Sequence, residues 1–218
     1  VKELTVTCVF VRGHVPFTAE YVVRLHSMAK RILPAHRFVC LTDQPLSLPD
    51  FIETIPAQAP AGAFAWWTKL RLFDPSLPLR GRCIYFDLDT LLIDNLLEIV
   101  HYPAPLALAP DGAPNFQPRD RKLSVVKRFN SSVMSWDAGV HPELYTDWSP
   151  AVARRLWGDQ DWIGEQCPQA AAMPLDWFPR LSESGPPPWK PTARVMLCKK
   201  PKNLEAAMKW HWFNEAWQ

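Results

Sequence analysis

The run from Leu4 to Val11 is β-branched and almost wholly apolar, the pattern of a strand buried on both faces. Thr18 then precedes a stretch in which Tyr21, Leu25, Met28 and Ile32 recur at helical spacing, and Pro34 marks its end. Arg37 to Leu41 predicts a second strand, stopped by Thr42-Asp43, and Phe51 to Ile55 a short third one. Ala63 to Phe73 has the length and residue types of a helix that ends before Asp74-Pro75. Arg82 to Asp87 is the next buried strand, with Leu106 to Ala109 and Ser132 to Trp136 as later ones. Glu143 to Trp157 reads as helical, and Asp159 as the opening of another short helix. Arg194 to Cys198 predicts a last strand, and Asn203 the cap of a C-terminal amphipathic helix. Alternating strands and helices, with no repeat and no long linker, predict an α/β fold. Residues 1–218 would form a single domain, a mostly parallel sheet flanked by helices.

Composition changes this picture little. The chain is 48% hydrophobic and 21% charged, an ordinary globular balance. A net charge of +2 gives no nucleic-acid footprint. The 23 prolines lie mostly in connecting segments and predict stiff loops. Eleven tryptophans suit a core first and a sugar-stacking surface second. The five cysteines lack C-x-x-C spacing, and most lie in apolar runs, which fits a reducing compartment. No apolar run reaches membrane-span length and none reads as a secretion signal, so a cytoplasmic location is the expectation.

The chemistry concentrates at Asp87-Leu88-Asp89. An apolar strand runs straight into it, and ligands of open α/β sheets bind beyond the carboxyl ends of strands. Residues i and i+2 of an extended segment face the same way, so both carboxylates can reach one site. Two like charges so close need a cation or a raised pKa, and oxygen ligands favour Mg²⁺ or Mn²⁺. For a bare triplet, a turn cap and a solvated carboxylate are the commoner use. A haloacid dehalogenase-type phosphatase is a rival, but it needs Thr or Val where Leu91 stands, and it carries its motif on the first strand.

Four segments in order resemble the GT-A glycosyltransferases, and more narrowly the glycogenin-like, family 8 type. WWTKLRLF resembles the helix that carries a basic residue facing the donor, here Lys69, and YFDLDTLLID the D-x-D strand. FNSSVMSWD resembles the segment lining the donor sugar, with Asn130, Ser131 and Ser132 at its places. GDQDW resembles the segment beside the reacting sugar, which here supplies Asp159 and Gln160. The resemblance implies a GT-A fold and retaining transfer of a hexose from a UDP-sugar to an unknown acceptor. It implies Mn²⁺ or Mg²⁺ on Asp87 and Asp89, with Asp159 and Gln160 as the catalytic pair. Each residue also has a bland use: Asn130 bonding local backbone, Asp159 capping a helix, Lys69 solvated, Trp66 and Trp67 in the core. Thr42-Asp43 reads equally as a turn cap or as a contact to uracil or ribose.

The chain departs from the family at its last motif. There Cys198 takes the place of a metal-binding histidine, Lys199 that of a glycine, Lys202 that of a diphosphate-binding lysine and Asn203 that of a proline. A thiolate is a poor ligand for a hard metal. The turn after the first strand holds Arg12-Gly13 where the family often has an acidic residue. These departures keep open a second reading, a nucleotide-sugar-binding protein with weakened or lost catalysis.

Overall fold

The computed structural model describes residues 3–13, 17–111, 129–181, 191–198, 207 and 217. Its strands and helices follow the apolar pattern: β1 (Leu4–Phe10), α1 (Ala19–Ile32), β2 (Arg37–Thr42), β3 (Glu53–Pro56), β4 (Arg82–Phe86), β5 (Thr90–Leu92), α2 (Leu97–Val100), β6 (Leu106–Pro110) and β7 (Phe129–Asp137). After these come α3 (Glu143–Thr146), α4 (Pro150–Arg155), α5 (Asp159–Gln166), β8 (Ala171–Ala172), β9 (Arg180–Leu181) and β10 (Val195–Cys198).

Among the described residues, one sheet has seven strands in the order β3-β2-β1-β4-β7-β6-β8. β1 pairs in parallel with β2 and β4, β2 with β3, and β6 with β8. β7 is antiparallel to both its neighbours, β4 and β6, so it alone runs against the rest. The carboxyl ends of β1, β2, β4 and β6 therefore share one edge with the beginning of β7. A smaller sheet, β5-β10-β9, follows directly from the Asp87-Asp89 turn. Two apolar cores fill the faces. One packs α1 against Val6, Cys8, Ile84 and Phe86, and the other packs α3, α4 and α5 against Val39, Leu41, Cys83 and Tyr85.

Two expected helices differ. Ala65–Phe73 is a 3-10 helix, with Trp67, Leu70 and Phe73 buried at the three-residue repeat of that geometry. Glu143 to Trp157 divides into α3 and α4, because Ser149 is an extended N-cap and Pro150 opens a new helix. Asn203, Lys199 and Lys202 lie outside the described residues.

At the opposite edge of the sheet, Gly81 has φ +66°, and a Cβ there would sit 2.0 Å from the Glu3 carbonyl oxygen. That carbonyl accepts the Arg82 N–H at 2.8 Å, so the backbone cannot withdraw without losing a bond. Gly81→Ala should cost at least about 2 kcal/mol, the sum of left-handed strain and overpacking. Urea unfolding checks this; a loss under about 0.5 kcal/mol would show that the turn relaxes.

Candidate active site

Lys69 sits at the centre of the sheet edge, on the inward face of the 3-10 helix. Its side chain is only 10% exposed, and Nζ lies 2.9 Å from Asp87 Oδ1 and 3.7 Å from Asp159 Oδ2. It also donates to the Ser131 hydroxyl at 3.2 Å and stands 5.3 Å from the centre of the Tyr85 ring. Burial works against the ammonium, but Asp159, Asp87 and Asp89 outweigh it and hold Lys69 above the ordinary lysine value. The bland use, a solvated lysine on a helix surface, does not apply.

Asp87 ends β4 and is braced by Tyr85, whose hydroxyl donates to Oδ1 at 2.6 Å, and by its own N–H on the Ser132 carbonyl at 2.9 Å. Burial and the Asp87 charge keep the Tyr85 hydroxyl protonated and donating. Asp89 has less help: burial and the neighbouring Asp87 raise it to about 7, and Lys69 offsets this only in part. Asp159 is almost fully buried, and burial likewise raises it against the pull of Lys69 and Ser131. Its Oδ2 has no hydrogen-bond partner among the described residues.

Asp159 is also not a cap. Gly158 is the N-cap of α5, and Asp161 accepts the Gly158 N–H at 3.2 Å, which frees Asp159 to face Lys69. Gln160 follows it, half-buried.

The strand that completes the site is irregular. Between Leu108↔Met134 and Ala109↔Asn130 the β6–β7 register shifts, so Ser131, Ser132 and Val133 bulge out of the β6 pairing. The bulge falls where Ser131 reaches Lys69. Asn130 does take its bland use in part, since its Oδ1 accepts the Ser132 N–H at 2.8 Å, which leaves its amide group as the donor it can offer a ligand.

The remaining expected residues are placed as follows. Thr42 serves the turn by accepting the Gln44 N–H at 2.9 Å, and Asp43 pairs with Arg12 through its N–H and Nε. Trp67 is core, whereas Trp66 stacks on exposed Phe64 at 4.3 Å and lies against Gly158. Cys198 follows Leu197, which pairs with Thr90, so it lies across from Asp89; burial and Asp89 push its thiol well up. Among the described residues, Asp87, Asp89 and Cys198 do not converge as a three-ligand group.

The donor set fits a hard divalent cation. Three carboxylates share one ammonium, and the least compensated, Asp89, sits two residues from Asp87 on the same segment. The thiol of Cys198 adds little to such a set.

No protein-family profile and no curated protein matches the sequence. Solved structures do match the fold, and two of them illustrate it. One is the galactosyltransferase LgtC in complex with donor and acceptor sugar analogues, with a TM-score of 0.69 at 13% identity over 98% of this chain and 95% of that one. The other is an active-site mutant of LgtC, with a TM-score of 0.66 at 13% identity over 97% of this chain and 94% of that one. Over nearly its whole length, then, the chain has the GT-A fold.

Proposed function

We propose that this chain is a metal-assisted glycosyltransferase that moves a hexose from a UDP-sugar to an acceptor, with retention at the anomeric carbon. The observation that carries the reading is the charge imbalance at the sheet edge. Three carboxylates gather around one buried ammonium, and one of them, Asp159, has a buried oxygen that the ammonium reaches only at 3.7 Å and that accepts no hydrogen bond among the described residues. Such an arrangement is costly in a protein interior unless a ligand completes it.

Asp87 and Asp89 would hold Mn²⁺ or Mg²⁺, which when bound supplies countercharge to the diphosphate. The reaction breaks the bond from the anomeric carbon to the diphosphate oxygen and joins the acceptor oxygen to that carbon. The departing oxygen takes the acceptor's proton, so the chain needs no separate base. Asp159 faces the sugar and stabilises positive charge developing at the anomeric carbon. Lys69 is a positioning residue that holds Asp159 and Asp87 apart and aimed. Gln160, the Asn130 amide and the Ser131 and Ser132 segment orient sugar hydroxyls, and Lys202 is assigned to the diphosphate. Phe64 and Trp66 offer an apolar face at the lip, on which an acceptor ring would stack. Among the described residues no helix is long and apolar enough to cross a membrane, and all five cysteines are free and buried. The free thiols support a reducing, cytoplasmic setting.

The test is nucleoside-diphosphate release from a panel of nucleotide sugars with Mn²⁺. Asp87→Ala and Asp89→Ala should each abolish metal-dependent UDP binding in a folded protein; unchanged affinity in both removes the assignment. Metal uptake must displace the Asp89 proton, so affinity should rise about tenfold per pH unit up to about 7 and then level off. Without metal the sign for stability is opposite. Asp89 is raised from 3.8 to about 7, so the folded state holds the extra proton, and stability falls as pH climbs through that window. Binding of UDP-sugar without turnover across the panel favours the second reading, a sugar-nucleotide-binding protein. The observation behind that reading is that Cys198 does not join the two aspartates as a ligand.

A further inference from the structure

A second group of metal-ligating side chains lies away from the sugar site. His141 follows β7, Glu143 opens α3, and Cys167 closes α5. Because β7 runs against its neighbours, its end and His141 lie at the edge of the sheet opposite Asp87. α5 spans eight residues, which puts Cys167 roughly 12 Å from the Asp159 end.

The geometry points to a zinc-binding site formed by His141, Glu143 and Cys167. His141 Nδ1 lies 2.8 Å from Glu143 Oε1, and one ligand atom from each of the three residues lies within 4.8 Å of the others. A small adjustment brings such a triangle around one ion at zinc–nitrogen, zinc–oxygen and zinc–sulfur distances of about 2.0–2.3 Å. One thiolate, one imidazole and one carboxylate form a borderline-soft set, which suits Zn²⁺ and not the hard cation of an aspartate pair. Cys167 is fully buried, while His141 and Glu143 are 16% and 38% exposed at the side chain, so an ion enters from the solvent side with water as its fourth ligand.

The proton balance is simple. Coordination releases the Cys167 thiol proton and requires His141 to carry its ring proton on Nε2, which ends the His141–Glu143 hydrogen bond in exchange for two metal bonds. The ion would tie the β7–α3 connection to the end of α5. That joint already holds a tether, the Trp162 indole donating to the Leu144 carbonyl at 3.0 Å. A site here fixes one end of the helix whose other end carries Asp159 and Gln160.

The experiment is titration of the metal-free, reduced full chain with Co²⁺, followed by Zn²⁺. One equivalent of Co²⁺ should give an intense thiolate-to-cobalt absorption with the visible bands of a tetrahedral centre, and Zn²⁺ should displace it and raise Tm. Cys167→Ala should abolish the thiolate band. His141→Ala, at a partly exposed position, should weaken it at least tenfold in affinity. Cys198→Ala and Asp87→Asn should keep it, which separates this site from the sugar site. Absence of a thiolate band, a band that survives Cys167→Ala, or a band lost with Cys198→Ala would each overturn the proposal.

Discussion

Asparagine in place of Asp159 is expected to slow transfer about 10²–10³-fold while leaving Tm unchanged or slightly higher. The rate estimate follows from removing one preorganised charge at a water-poor reacting centre. The stability estimate follows from burial, which already raises the Asp159 carboxyl because the charged form is poorly solvated where it stands. An amide of the same shape removes that penalty, and Lys69 keeps its nearer partner, Asp87, at 2.9 Å. The loss should fall on kcat at saturating donor, with donor affinity nearly retained, because the charge matters only once the sugar becomes cationic. Wild-type kcat in Asp159→Asn would place the residue away from the reacting carbon. A loss of fold would make it a structural member of the lysine cluster.

Much of the scaffold was legible because burial on both faces leaves a plain mark in the sequence. The runs at β1 and β4 could hardly be anything but central strands, and the helical spacing of Leu25 and Met28 marked the face that α1 buries. The 3-10 geometry of Ala65–Phe73 was not legible, since Trp67, Leu70 and Phe73 satisfy a three-residue repeat and an α-helical face equally well. Pro150 after Ser149 did carry the break between α3 and α4, a signal outweighed by the helix-forming residues around it.

At the site, the resemblance supplied the positions of Lys69, Asp87 and Asp159, but not their mutual arrangement. A lysine is solvated by default, and the partners that bury Lys69 come from β4, the β7 bulge and α5, far apart in the chain. The bulge itself has no signature in Asn130-Ser131-Ser132 beyond polarity, and that Asp159 does not cap α5 depends on the direction of the Gly158 N–H toward Asp161, which only the folded helix defines. The His141, Glu143 and Cys167 group went unread for the same reason, because Cys167 meets the other two only through the packing of α5 on α3.

The arrangement makes Lys69 the residue on which the site's stability turns, and Lys69→Met tests this directly. Methionine keeps most of the apolar stem and removes the charge, so Asp87 and Asp159 lose their shared cation in a setting where side-chain exposures are 23% and 5%. Breaking a buried pair from one side costs about 3–5 kcal/mol, and exposure this low leaves little solvent screening to reduce it. The sign with pH follows. Burial already raises the Asp159 carboxyl and Lys69 opposes it, so without the ammonium Asp159 titrates further above its unfolded value, the folded state binds more protons, and stability lost at pH 7 should return in part at pH 5. Adding Asp159→Asn should recover stability as well, because a neutral amide no longer needs the ammonium, and the two changes should be clearly non-additive. Urea unfolding of the two single variants and the double at both pH values measures all three quantities. If Lys69→Met costs less than about 1 kcal/mol and the double variant is additive, the ammonium is not what holds the carboxylates. The protein would then have to tolerate three acidic groups at one strand edge by water alone.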